Sequence, residues 1–197
     1  MLLGITTIIF TLLLPEVAFA HGMTGSGFFA GFYHPIGGLD HLLAMLSVGI
    51  LSTQIGGKHI WSVPATFVTI MLVGGYIGFM GLSVSDTFIE HGIMLSVVLL
   101  GLVIATGGQL NKLLIYSFVA FFGFCHGYAH GVEMPAQAKA EYFAAGFVIS
   151  TIIIHLIGVL IGFAYHALSQ HGKTLLRYKG AVLMGMGLQM LLSHHLG

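Results

Sequence analysis

An all-α bundle of membrane-spanning helices is the fold class this sequence predicts, and three observations predict it. First, 57% of the 197 residues are apolar and only 6% are charged. A soluble domain carries about 25% charged residues, and a chain with so few cannot coat itself in a water-soluble surface. Second, the apolar residues fall into stretches near the ~20 residues needed to cross a bilayer. Third, the chain holds 29 glycines, which suits transmembrane helices packed closely enough for their backbones to approach. GxxxG spacings occur at Gly74/Gly78, Gly123/Gly127, Gly127/Gly131 and Gly158/Gly162. Net charge is zero, with no basic stripe or polybasic tail, which argues against a nucleic-acid partner. The single cysteine, Cys125, excludes a disulfide within the chain and any CxxC metal or redox site.

Residues 1–20 read as a signal peptide: an apolar run from Leu2 to Leu14, then Ala18-Phe19-Ala20 as a small-x-small cleavage site. The mature chain, 21–197, then begins at His21 and forms one six-helix transmembrane domain. No Lys or Arg precedes the apolar run, and an uncleaved first helix is the alternative. Six apolar stretches follow, at roughly 36–55, 60–82, 90–108, 112–131, 142–166 and 179–195. They are broken by Gly56-Gly57-Lys58, Ser83-Val84-Ser85-Asp86, Gly107-Gly108, Met134-Pro135 and Ser169-Gln170-His171-Gly172. No linker is long enough to separate domains.

Charge gives an orientation. If the signal peptide exports the new N-terminus, the inner loops hold Lys58, Lys112, Lys173, Arg177 and Lys179, and the outer loops hold only Lys139. Five of six basic residues then lie inside, as the positive-inside rule requires. Asp40, Asp86, Glu90, Glu133 and Glu141 fall at or near the outer face. The expected location is a bacterial inner membrane, with the mature N-terminus outside.

Two segments concentrate metal-type ligands. One runs from His34 through Pro35, Asp40 and His41 into the first span; the other runs from His126 through His130 to Glu133, leaving the fourth. His126 and His130 are four apart and share a helix face, which Glu133 continues three residues on. Asp40 beside His41 can act as a ligand or orient the imidazole. The lysine-derived topology places both segments at one membrane face without using the histidines. Glu90, at the outer start of the third span, joins them, and His155 lies deep in the fifth. A lone intramembrane His such as His155 also has a plain structural reading, a hydrogen bond to a neighbouring carbonyl. His59, His171, His194 and His195 read as interfacial, and His91 and His166 receive no role. An unpaired intramembrane carboxylate costs about 2.5–3.5 kcal/mol on insertion scales, so the acidic residues are functional candidates. Spacing by itself goes no further than a metal or proton site.

Imidazole with carboxylate suits nickel, cobalt, zinc, iron or copper(II) rather than copper(I). Most of the ten methionines read as scattered core filler; Met45, one turn after His41, is the exception. At these residues the sequence resembles the HupE/UreJ family of hydrogenase- and urease-associated metal permeases. The family's HPxxGxDHxxxM motif reads here His34-Pro35-Ile36-Gly37-Gly38-Leu39-Asp40-His41-Leu42-Leu43-Ala44-Met45. Its HGxAHGxE segment reads His126-Gly127-Tyr128-Ala129-His130-Gly131-Val132-Glu133. Glu90 and His155 also look like family positions, and the resemblance covers essentially the whole mature chain. It implies a secondary transporter, not an enzyme, bringing nickel, or in some members cobalt or another divalent metal, to metalloenzyme assembly. Zinc and copper(II) stand as further cargoes, and no prosthetic group is implied. The His, Asp and Glu of these motifs are then the expected metal-binding residues.

On this reading His34, Asp40, His41, Glu90, His126, His130 and Glu133 collect a cation at the outer face, and His155 receives it deeper. A free N-terminal amine on His21 would add a chelating group at the entrance. The chain contains no GxxxxGK[ST] sequence and is not expected to use ATP. The competing class is an intramembrane zinc hydrolase built on the same His/Asp set; a metal sensor without flux is a third reading. The expected partners are the metal ion and the lipid bilayer, with a homo-oligomer left open by the sequence.

Overall fold

The computed structural model describes residues 27–196. Among them regular structure is entirely helical: α1 (Gly27–Gly37), α2 (Leu39–Ile55), α3 (His59–Phe79), α4 (Asp86–Ala105), α5 (Lys112–Val132), α6 (Ala140–Ala167) and α7 (Ser169–Leu196). The expected signal peptide and His21 lie outside the described residues.

Helices α3, α4, α5 and α6 are long and apolar enough to cross a membrane, and they coincide with four of the stretches read from sequence. The first expected span divides differently. It becomes α2, preceded by the shorter α1, and the two are bent by 82° at a break that allows them to count as one broken span. The sixth expected span is the second half of α7, a 28-residue helix. Lys173, Arg177 and Lys179 in its first half, with His194 and His195 at its end, leave α7 outside the set apolar enough to span. The described residues thus supply four spans, or five with the bent pair, against the six expected.

Local chemistry sets the helix ends. Ser85 caps α4, its Oγ accepting from Phe88 N at 3.4 Å, and Asn111 caps α5 through Leu113 N at 2.8 Å. The turn after α4 passes through Gly107 and Gly108 at φ 76° and 71°, a region where a side chain would be strained. Carbonyls at the end of α4 are taken by Gln54 Nε2, which donates to Ile104 O at 3.1 Å, and Arg177 Nε, which donates to Ala105 O at 2.8 Å. A cation there also complements the helix dipole.

The helices pair through glycine. A methyl group built on Gly127 of α5 would sit 1.9 Å from Met71 O of α3, and one on Gly74 of α3 would sit 2.3 Å from Phe124 O of α5. The α2–α6 pair uses Gly49 and Gly158 in the same way, and α4–α7 uses Gly101 and Gly180. The GxxxG spacings are therefore interfaces between neighbouring helices, where backbones touch because no side chain intervenes. Apolar packing fills the rest: Leu51, Phe67, Met71, Leu100, Ile104 and Phe122 are essentially inaccessible. This close packing of α3 on α5 and of α2 on α6 brings the two histidine-bearing segments face to face.

Candidate metal centre

The bend between α1 and α2 is the first device of the site. Pro35 lies inside α1 near its end, and Gly37-Gly38 follows. Gly38 has extended backbone, φ −97° and ψ 119°, so the chain leaves one helix and starts another. Asp40 then falls in the first turn of α2, where the positive end of the helix dipole favours a carboxylate. Its Oδ1 accepts from the His41 amide at 2.8 Å and from His41 Nδ1 at 2.7 Å. That contact keeps the proton on Nδ1 and leaves the Nε2 lone pair of His41 free. Gly38 makes room for the pair, since a Cβ there would lie 2.9 Å from both Asp40 Oδ1 and His41 Nδ1.

The second segment is the C-terminal half of α5. His126 Nδ1 donates to Phe122 O at 2.9 Å, again leaving Nε2 as the free lone pair. His130 is one turn on, at 3% exposure. His34 Nε2 lies 3.0 Å from Glu133 Oε2, and His130 Nδ1 lies 3.8 Å from the same oxygen, too far for a hydrogen bond. His34, His130 and Glu133 each offer one ligand atom, and these atoms lie within 4.8 Å of one another. They belong to α1, α5 and the residue that ends α5.

From this group the imidazoles continue inward as a ladder. Ring centroids stand 4.6 Å apart for His34–His130, 4.4 Å for His130–His41 and 4.8 Å for His41–His126. Phe67 of α3 touches the inner end, its ring centroid 5.5 Å from that of His126 and 5.2 Å from that of His155. One ring nitrogen on each of His41 and His126, and both on His130 and His155, are buried without a hydrogen-bond partner. A buried unsatisfied polar group costs about 1–3 kcal/mol. This donor set, with the carboxylates of Asp40 and Glu133 to offset two positive charges, fits a divalent cation of the first transition row.

Of the residues singled out from sequence, His34, Asp40, His41, His126, His130 and Glu133 are brought together, and His155 packs on Phe67 next to them. Glu90 is placed elsewhere: its Oε2 faces His194 Nε2 of α7 at 3.5 Å. Met45 is buried in the apolar core with Ala44, Val48 and Leu51. The Cys125 side chain turns toward α4, where it packs with Ile89, Ile93 and Tyr128. Sequence reasoning passed over two residues. Phe67 carries no ligand atom and no motif, and only its contact with two imidazoles marks it. Tyr128, inside the second motif, ties down the loop before α4: its hydroxyl donates to Leu82 O and accepts from Val84 N, each at 2.9 Å.

An apolar cleft of about 310 Å³ runs between α3, α5 and α6 and reaches His130, with Met71, Tyr76, Phe79, Phe143 and Phe147 among its walls. His130 also packs on Phe147, ring centroids 4.2 Å apart. The imidazole ladder is thus walled by hydrocarbon, which keeps the local dielectric low and strengthens any charge–ligand interaction within it.

Fold and site together define a class: a polytopic helical membrane protein with a chain of imidazoles and carboxylates buried between its helices. Comparison with known proteins narrows the class. The chain belongs to the HupE/UreJ family, the match to the family described as HupE / UreJ protein spanning residues 9–190. It is 36% identical over 188 residues to Protein HupE of Rhizobium leguminosarum bv. viciae, covering 95% of this chain and 96% of that protein. No solved structure gives a significant match.

Proposed function

We propose that the protein is a secondary permease that moves a divalent transition-metal ion, nickel first, inward across a bacterial inner membrane to supply metalloenzyme assembly. The observation that carries this reading is the ladder itself. Lone-pair nitrogens buried without partners follow one another from the His34–Glu133 end to His126, in steps short enough for an ion to exchange ligands, and recur at His155 beside Phe67. A cation entering at His34, His130 and Glu133 trades water for imidazole and carboxylate. It next meets His41 Nε2, held ready by Asp40, then His126 Nε2. Phe67, in contact with both His126 and His155, supplies the apolar step of the proposed path to His155. His21 and Glu90 remain part of the proposed capture region: His21 as a chelating N-terminus, Glu90 as a carboxylate at the same end of the bundle.

The driving force needs no nucleotide. A charge crossing the membrane gains about 2.3 kcal/mol per 100 mV, so a divalent ion gains on the order of 4–5 kcal/mol. The stretch closest to a phosphate-binding loop, Gly172-Lys173-Thr174, lies inside α7 rather than between a strand and a helix. An intramembrane zinc hydrolase would hold one ion at one place, and it gives no reason for imidazoles continuing to His155.

Uptake of radioactive nickel into proteoliposomes tests the reading. Wild type is expected to accumulate nickel under an inside-negative potential, and Asp40→Ala and His41→Ala are expected to lose accumulation. Tightly retained stoichiometric zinc with no flux would favour the hydrolase. Unchanged flux in both variants would remove the ladder as the pathway.

A further inference from the structure

We infer that the protein carries a second binding site for a divalent first-row transition-metal ion, built from His91 and His195 with Glu90 and His194 beside them. These residues join the start of α4 to the end of α7, away from the imidazole ladder. They lie at the same end of the bundle: Tyr128, two residues after His126, holds Leu82 and Val84 of the loop that leads into α4.

The tautomers carry the argument. His91 Nδ1 donates to Thr87 O at 2.6 Å, and His195 Nδ1 donates to Leu191 O at 2.9 Å. Each neutral ring has one N–H, and in both the backbone carbonyl one turn earlier takes it. The two Nε2 atoms therefore both present lone pairs, yet they face each other at 3.3 Å. Two acceptors at that distance repel unless something positive lies between them. With metal–nitrogen bonds of about 2.0–2.1 Å, two ligands of a tetrahedral ion stand roughly 3.3–3.4 Å apart, so the observed spacing is that of two ligands sharing one ion. The carbonyl bonds also fix the ring orientations, as the outer partners of metal-bound imidazoles commonly do.

Glu90 supplies the charge. Its Oε2 is 3.5 Å from His194 Nε2, and the His194 ring stands 5.3 Å from the His91 ring. Both side chains are exposed, at 56% for Glu90 and 41% for His194, and small rotations bring a carboxylate oxygen and a third imidazole toward the ion. A site with one carboxylate, open to solvent, binds more weakly and exchanges faster than the buried ladder. It suits a staging position at the membrane surface.

The full-length protein in detergent, stripped of metal, is dialysed against buffered free nickel, and against zinc in parallel. Bound metal per chain is then measured by atomic absorption. The His91→Ala/His195→Ala variant is expected to bind one equivalent fewer than wild type and to lose the weaker phase of the titration. His41→Ala should lose the tighter phase and keep the weaker one, which separates this site from the proposed transport pathway whatever that variant does to flux. His91→Gln, able to keep the bond to Thr87, guards against a folding defect and should also lose the weaker phase. Undiminished stoichiometry in both His91 variants would mean that the two imidazoles share only a proton, and the site would be rejected.

Discussion

Replacing Gly127 with alanine adds one methyl group at the tightest point between α3 and α5. That methyl would lie 1.9 Å from Met71 O and 2.7 Å from Met71 C. Both are backbone atoms, so no side-chain rotation relieves the clash. Restoring an ordinary contact of 3.4 Å moves the helices apart by 3.4 − 1.9 = 1.5 Å. A gap of 0.5–1 Å already forfeits a quarter to a half of a contact's attraction, and Gly74, Gly78 and Gly131 line the same interface. Overpacking typically costs 1–3 kcal/mol, and a backbone clash belongs at the upper end, about 3 kcal/mol or roughly two decades in the unfolding equilibrium. Because His126 and His130 flank Gly127, the displacement should also weaken nickel uptake.

Two internal controls make the test strict. A methyl on Gly75 meets Gly127 O at 3.4 Å, and one on Gly185 meets nothing within 4 Å. Gly75→Ala should be close to neutral. Gly185→Ala, in the middle of α7, should gain about 0.5–1 kcal/mol from reduced chain entropy. Thermal unfolding in detergent, followed by tryptophan fluorescence and light scattering, ranks the three variants. If Gly127→Ala unfolds and transports like Gly185→Ala, the glycine-mediated contact between α3 and α5 is wrong, and with it the placement of the second motif.

Further expectations follow from single contacts. Asp40→Asn keeps the shape but loses the charge that fixes His41, and nickel affinity by equilibrium dialysis should fall about 10- to 100-fold; an unchanged affinity would deny the carboxylate its orienting role. Gly38→Ala drives a methyl to 2.9 Å from that same pair and should reproduce the loss with little effect on unfolding temperature. Tyr128→Phe strands Leu82 O and Val84 N, at about 1–3 kcal/mol for unsatisfied polar groups. Hydrogen exchange should then rise in residues 82–85 ahead of any other segment, and uniform exchange would contradict the assigned contact. Glu133→Gln removes half of the carboxylate charge at the ladder and should lower nickel uptake, while His34→Ala at the same contact should act in the same direction.

Much of the membrane fold was legible in composition and periodicity. Four spans coincide with α3 to α6, because hydropathy over about 20 residues is a one-dimensional property set by bilayer thickness. Both histidine motifs were legible too, since ligands three and four apart on a helix must share a face. The bend at Gly38 was not, because a Pro-x-Gly-Gly stretch reads equally as a turn or a kink until neighbouring helices choose. The nature of α7 was also hidden: its glycines seat it along α4, and that partnership is invisible in a residue string.

What the sequence by itself determined is the medium, the helices and the kinds of ligand; these depend on composition and on spacings within a single helix. What only the tertiary structure decided is which ligands meet. His34 meets Glu133 across 99 positions of chain, Phe67 touches both His126 and His155, and Glu90 faces α7 rather than the ladder. Contacts between distant segments are set by the way helices dock. Docking turns on backbone approaches of a few ångströms, which no local pattern encodes.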